Sequence, residues 1–354
     1  MKKALIAMSG GVDSAVSACI MKSRGYECIG CTMKLYNNED IGISRENTCC
    51  SLDDIQDAKS VAGTLGIPHY VFDFSEDFKE KIIKKFASSY IIGKTPNPCI
   101  DCNKYMKFDK LFARAEMLGC DCIVTGHYAR ITEKDGKYSL LKAVDPEKDQ
   151  SYVLYQLTQE LLSRICFPLG EMHKSETRRI AEENGFVNAH KHDSQDICFV
   201  PDGNYAKIVD EYAKGKNLEG NFIRTDGSVI CPHKGITHYT IGQRRGLGIA
   251  APASLYVLKI NPQDNTVMLG GSEELFSREA NVEEVNWISG EVPGEPVNCK
   301  VKIRYRQKEQ PAVVTPLGEN SVSVLFDEPQ RAITPGQAAV FYDGDTVLGG
   351  GVIK

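Results

Sequence analysis

The chain opens MKKALIAMSGGVDSAVSACIMKSRG, Met1 to Gly25, and its fold turns on the six residues SGGVDS, Ser9 to Ser14. Lys3 to Met8 ahead of them is an apolar run of strand length. Asp13 to Arg24 behind them repeats with helical period and stops at Gly25. Gly10 and Gly11 let the backbone take φ values closed to other residues and bring amide N–H groups close to an anion. The following helix adds its positive N-terminal end, so the loop suits phosphate. A Walker loop would need GxxxxGK[ST], with its lysine on the β- and γ-phosphates, and a dinucleotide fingerprint would need GxGxxG. SGGVDS is neither. Without that lysine, the loop suits a pyrophosphate that leaves as a unit. The plainer alternative is a glycine turn with Asp13 as helix N-cap.

Outward from the loop, Glu27 to Leu35 reads as a second strand. Ser51 and Asp54 form a capping-box pattern ahead of a helix that Gly66 stops, and His69 to Phe74 reads as a third strand. A helix near Glu76 to Tyr90 leads into the turn-rich TPNPCIDCN. A basic amphipathic helix follows around Phe108 to Leu118, then the strand CIVTGH, Cys122 to His127. Strands alternating with helices predict a doubly wound parallel sheet. Beyond about Asn204, NFIRTDGSVI and ASLYVLKINPQDNTVMLGG read as hairpins, and the last eighty or so residues are almost all short strands. The expected plan is an α/β domain over 1–205, a small central module over 206–272 and a β-rich, barrel-like domain over 273–354.

The 354 residues carry 42% hydrophobic and 25% charged side chains, which fits a folded chain of two or three domains. No apolar stretch approaches the ~18 residues of a membrane span, and the first apolar run is too short for a signal peptide, so a cytoplasmic protein is expected. Thirteen cysteines then read as mostly inert buried thiols with a few reactive or metal-binding ones. A net charge of −5 advertises no nucleic acid, so any such binding must come from a local basic face.

Two cysteine neighbourhoods stand apart. In TPNPCIDCNKYMKFDKL, Cys99 and Cys102 follow two prolines and precede a helix carrying Lys107, Lys110 and Arg114, a setting expected to favour thiolates. In KHDSQDICFVPDGNY, Cys198 follows His190, His192 and a polar run. The plain reading of any single cysteine is a small buried hydrophobe, and Cys19, Cys28, Cys31, Cys120, Cys122, Cys166, Cys231 and Cys299 are expected to be that. Cys49 and Cys50 sit in a loop with no evident role.

SGGVDS after an N-terminal strand resembles the PP-loop of the N-type ATP pyrophosphatases, which adenylate a substrate oxygen and then displace AMP with a nucleophile. Together with the NPxxxCN stretch around Cys102, TGHYAR at Thr125 to Arg130, KDQSYVLY at Lys148 to Tyr155, SQDICF at Ser194 to Phe199 and YTIGQRRGLGI at Tyr239 to Ile249, the chain resembles the tRNA-specific 2-thiouridylases. The resemblance implies ATP-dependent 2-thiolation of the wobble uridine, U34, of tRNA in the cytoplasm. It implies ATP on Ala7, Met8, Ser9, Gly10, Gly11, Val12, Asp13 and Ser14, with Met33 and Gly126 on the adenine side. Asn97, Pro98 and Cys99 would meet the target base, and His127, Lys148, Asp149 and Gln150 the tRNA. Cys198 would carry a persulfide from a sulfur donor, a cysteine desulfurase or sulfur relay, and Cys102 would be the partner nucleophile that closes a disulfide with it. Many members carry aspartate where this chain has Cys99. Cys99, Cys102 and Cys198 thus also match the three-thiolate set of RNA thiolases that use a [4Fe-4S] cluster. Mg²⁺ is expected with ATP, with Asp13 its one candidate ligand.

In VNCKVKIRYRQ, Val297, Cys299, Val301, Ile303 and Tyr305 alternate with Lys300, Lys302, Arg304 and Arg306. The basic row is either an RNA-binding face or a solvated edge that resists aggregation. The resemblance favours RNA, with Arg304, Tyr305 and Gln337 at the contact. Two rival classes stay open on the sequence: a PP-loop ligase that uses nitrogen on a small molecule, and a non-catalytic nucleotide- or RNA-binding module.

Overall fold

A computed structural model describes residues 1–37, 52–192, 197–200, 203–213 and 218–354. Cys49 and Cys50, with the polar run 193–196 before Cys198, lie outside the described residues.

The N-terminal strands β1 (Lys3–Ala7), β2 (Glu27–Lys34), β3 (His69–Asp73) and β4 (Cys122–Val124) all run parallel. After β4 the chain makes a hairpin of β5 (Ala129–Lys134) and β6 (Lys137–Lys142), then returns through β7 (Ile165–Cys166). The parallel sheet has the order β3-β2-β1-β4-β7, so the direction of winding reverses between β1 and β4. Both faces are covered, as the apolar run Ala4 to Ala7 of β1 requires. Ala4 and Ile6 pack towards helix α1 (Val12–Ser23) and α2 (Leu52–Leu65), whereas Leu5 packs towards Leu111 and Ala115 on the other side.

A helical stretch over 75–91 packs Phe78, Ile82 and Phe86 with Phe199, and the helix Tyr205–Ala213 adds Ile208 and Val209 to the same cluster. The central module pairs β8 (Gly220–Ile223) with β9 (Val229–His233), and β10 (Tyr256–Asn261) with β11 (Thr266–Gly270). These are two hairpins joined by a parallel contact between β8 and β11.

The C-terminal strands are β12 (Phe276–Trp287), β13 (Val297–Lys302), β14 (Gln310–Gly318), β15 (Ser321–Arg331), β16 (Ala338–Asp343) and β17 (Thr346–Ile353). They run β12-β15-β14-β13-β16-β17 and close into a six-stranded barrel where β17 meets β12. Closure removes the sheet edges.

Sequence patterning does not reveal the β5–β6 hairpin. It leaves the parallel-sheet layer and adds to the barrel, Leu140 opposite Val347 and Leu141 opposite Thr346. Around that junction Leu140, Tyr152, Tyr155, Val340 and Tyr342 form one buried cluster. Backbone groups bridge it as well, with Thr95 N–H donating to the Pro335 carbonyl at 2.8 Å. Barrel and loop domain are therefore one packed body across this seam.

Candidate active site

The glycine loop leaves β1 at its carboxyl end, where the winding reverses and α/β sheets bind ligands. Gly10 has φ +78°, and a Cβ there would lie 2.4 Å from the Asp54 carbonyl oxygen, so only glycine fits. Ser14 ties the turn, its Oγ donating to Gly11 O at 2.9 Å and accepting from Ser9 N–H at 3.2 Å. The helix N-cap is Gly11, not Asp13. Asp13 instead faces Lys174, whose Nζ lies 2.6 and 2.8 Å from its two carboxylate oxygens, and it accepts from the Tyr128 hydroxyl at 3.0 Å. Both carboxylate oxygens are thus engaged by Lys174, while Asp13 still lines the cavity. Gly126, just beyond β4, lies against this loop: a Cβ would fall 3.0 Å from the backbone of Asp13 and Ser14.

Cys99 and Cys102 do not precede the basic helix; they lie inside it. Helical turns begin at Pro98, with Asn97 as N-cap accepting from Cys99 N–H at 3.1 Å, and run unbroken over 98–117. From Cys102 to Lys110 the turns widen to i→i+5 bonding, a distortion frequent at functional sites. The expectation of thiolates here is overturned. Burial pushes the Cys102 thiol up to about 11, with Lys107 offsetting only part of that. Cys99 opens to the cavity but sits deep in it, and burial raises its thiol too. Desolvation outweighs the cations because the thiolate would lose water on most sides.

Cys198 is positioned by its neighbour. Phe199 is buried edge-on against Phe78 and Phe86, with ring centroids 5.7 and 5.3 Å away, and Tyr36 donates its hydroxyl to the Cys198 carbonyl at 2.8 Å.

One cavity of about 1520 Å³ has Ala7, Met8, Ser9, Gly11, Val12, Asp13, Ser14, Met33 and Gly126 on its wall, together with Pro98, Cys99, Cys102 and Cys198. His127 and Lys148, Asp149 and Gln150 also reach it, and Lys300, Lys302 and Tyr305 close it from the barrel side. Thiols far apart in sequence thus share a chamber with the loop. Gly10, Asn97, Arg304 and Gln337 are not on that wall. The Gln337 amide donates to Thr95 O at 2.7 Å across the seam. Arg304 donates to Ala332 O at 3.0 Å and Thr334 Oγ1 at 2.9 Å.

The alternating basic row ends early, because β13 stops at Lys302 and the chain turns. Tyr305, set opposite the basic residues by the alternation but at the RNA contact by the resemblance, is exposed on the cavity rim, with Lys302 Nζ 5.7 Å from its ring centre. Asp149 and Gln150 serve the loop they sit in: Asp149 Oδ1 accepts from Ala143 N–H at 3.0 Å, and Gln150 Oε1 from Tyr128 N–H at 3.0 Å. His127 is buried between Thr125 Oγ1, 2.7 Å from Nδ1, and Lys107 Nζ, 3.4 Å from Nε2. Burial first and Lys107 second hold its ring well below the usual histidine range, so it is neutral at pH 7.

Among the described residues no three His, Cys, Asp or Glu side chains gather closely enough to hold a metal ion. Cys99, Cys102 and Cys198 share the cavity wall without closing around a single ion.

Sequence reasoning missed Lys174 and Lys191, which flank the glycine loop from distant segments. The lysine absent from the loop motif is supplied to its neighbourhood by tertiary structure. The only local signal was KHDSQDICF itself, which begins with Lys191.

Three family models cover the chain: a tRNA methyl transferase HUP domain over residues 2–202, a tRNA methyl transferase PRC-barrel domain over 206–271 and an aminomethyltransferase beta-barrel domain over 277–353. A Clostridioides difficile (strain 630) protein named tRNA-specific 2-thiouridylase MnmA is 49% identical over 356 residues, covering 100% of this chain and 98% of its own. Proteins of the same name from Acetivibrio thermocellus and Carboxydothermus hydrogenoformans are 47% and 48% identical, again over 100% of this chain and over 99% and 98% of theirs. With a glycine loop and cysteines in one cavity, and with likeness of this extent along its whole length, the chain belongs to the tRNA-specific 2-thiouridylase family.

Proposed function

We propose that the protein thiolates position 2 of the wobble uridine of tRNA, using ATP. The observation that carries this reading is the shared cavity of the SGGVDS loop, Cys102 and Cys198. The family models speak of methyl transfer and the relatives' names of thiolation. Two cysteines beside a pyrophosphate-type loop favour thiolation, since methyl transfer needs neither.

In this reading uracil O2 attacks the α-phosphorus of ATP held at Ala7 to Ser14, and pyrophosphate leaves. The terminal sulfur of a Cys198 persulfide, loaded by a cysteine desulfurase or sulfur relay, attacks C2. Cys102 then attacks Cys198 Sγ. A disulfide forms, the electron pair of the broken S–S bond stays with the transferred sulfur, and AMP is expelled from C2; an external thiol reductant restores both cysteines. The raised Cys102 thiol fits a resting state that is inert until tRNA changes its surroundings. Asn97, Pro98 and Cys99 would meet the base, and His127, Lys148 and Tyr305, with Arg304 and Gln337 behind them, the RNA. In the alternative reading Cys99, Cys102 and Cys198 would hold a [4Fe-4S] cluster with one iron open to sulfide, and iron and acid-labile sulfide assay of anaerobically purified protein separates the two. Mg²⁺ would travel with the phosphates. A cytoplasmic location fits both the substrate and the described helices, none of which is long and apolar enough to cross a membrane.

The test is incubation with unmodified tRNA, ATP, a cysteine desulfurase with cysteine as persulfide donor and a thiol reductant, followed by nucleoside analysis. 2-Thiouridine should form with AMP and pyrophosphate, and Cys102→Ala and Cys198→Ala should each abolish it. Full activity in Cys198→Ala would refute the assignment.

A further inference from the structure

Lys107 lies half-buried on the cavity wall, in the helix that carries Cys102, and the chemistry above gives it no task. At 3.6 residues per turn, position 107 would stand about 140° round the helix from position 102. The i→i+5 bonding over Cys102–Lys110 closes part of that gap, and both side chains meet the cavity. Buried Asn103 fixes the rotation, donating from Nδ2 to Val153 O at 3.0 Å. The charge of Lys107 is felt by both Cys99 and Cys102.

The ammonium is also aimed. Its Nζ lies 3.4 Å from His127 Nε2. An ammonium can only donate, so Nε2 accepts, and the ring proton sits on Nδ1, donating to Thr125 Oγ1 at 2.7 Å. Phe108 and Phe167 hold the ring, with centroids 6.2 and 5.7 Å away. Between Thr125 and His127 lies Gly126, which abuts Asp13 and Ser14 of the glycine loop. One ammonium thus links the cysteine helix to the strand end against the loop. Other cations of the wall are engaged, Arg130 by Asp345, Lys142 by Glu309 and Lys191 by Asp54 and Asp57. Among the described residues no carboxylate pairs with Lys107.

In the thiolation read above, the α-phosphate bonded to uracil O2 lies within two bonds of C2, between the loop and the thiols. When sulfur adds at C2, the C2–O2 bond breaks and its electron pair leaves on the phosphate oxygen of AMP. An unpaired, partly desolvated ammonium there meets the new charge. We propose that Lys107 is a further catalytic residue of this reaction: its ammonium, aimed by His127, donates to a non-bridging oxygen of the α-phosphate and stabilises AMP as it departs. It transfers no proton. This rests on the reading that thiolation passes through an adenylated uridine.

The experiment measures 2-thiouridine formation by the full-length protein with unmodified tRNA, a cysteine desulfurase with cysteine, and a thiol reductant, using ATP or either diastereomer of ATPαS. Sulfur at one non-bridging α-position weakens the bond on that side alone, so the wild type should prefer one diastereomer. Lys107→Met should lower kcat about a hundredfold with KM for tRNA unchanged, and should lose most of that preference. Lys107→Arg, which keeps charge and donors, should recover part of both. Lys107→Gln is read in the same way and covers a methionine variant that fails to fold. A variant at the wild-type rate overturns this proposal alone, as does a slow variant with its preference intact or a wild type indifferent to the diastereomer. A wild type that makes no 2-thiouridine from ATP overturns the thiolation reading and this proposal with it.

Discussion

At the scale of single residues, burial decides more than neighbouring charge. Cys102 has Lys107 nearby, yet burial pushes its thiol up to about 11, so the protonated form dominates at pH 8. Its iodoacetamide labelling in the isolated protein should be slow at pH 8 and climb roughly tenfold per pH unit towards 10; a rate already at plateau near pH 8 would contradict the buried geometry. His127 is the converse case. Its folded pKa is depressed, so below about 6.5 the unfolded chain takes up a proton that the folded one refuses, and stability falls as pH falls, by up to ~1.4 kcal/mol per unit. Urea unfolding at pH 5.5 and 7.5 should show that slope reduced in His127→Gln. Lys174→Met, which leaves the Asp13 carboxylate with Tyr128 alone, should cost about 2 kcal/mol and weaken nucleotide binding, both visible by calorimetry.

At the scale of elements, the glycines and the hairpin do the positioning. Gly10→Ala would force a left-handed backbone on alanine, at ~1–2 kcal/mol, and drive its methyl into the Asp54 backbone. Nucleotide binding should be lost while the barrel stays folded, with β-sheet circular dichroism retained. The positions of Gly10, Gly25 and Gly66 were legible from spacing alone, because a turn or a helix end needs them wherever the rest of the chain lies. The start of the cysteine helix was not. Its prolines read as a stiff approach, yet Pro98 opens the helix at a position where its missing N–H is no loss. The β5–β6 hairpin was missed because its residues pair with each other locally but find their third strand, β17, some two hundred residues later. Leu140→Ala at that junction should cost ~2–5 kcal/mol and make the seam between barrel and loop domain open to protease.

At the scale of the whole molecule, the seam matters because it sets the barrel's lysines opposite the glycine loop across one cavity. Lys300 and Lys302 point into that space, whereas Arg304 bonds the 332–334 turn of its own domain. The two kinds of basic residue should therefore behave differently. Alanine at both Lys300 and Lys302 should weaken tRNA binding and lower the slope of log affinity against log salt by roughly 1.5. Arg304→Ala should chiefly lower the melting temperature. An unchanged slope in the double variant would remove the barrel face from the RNA interface.

What the sequence determined by itself is whatever depends on near neighbours: the parallel strands and their helices, the glycine loop and its chemistry, the late hairpins, and the motifs that place the chain in its family. Tertiary structure decided which cations stand by the loop, how far burial suppresses the thiols, which members of the basic row face the cavity and which hold the barrel together. Those outcomes depend on desolvation and on contacts between segments remote in the chain, and neither is written in local spacing. Lys174 meets Asp13 across 161 positions, and no pattern within either segment announces it.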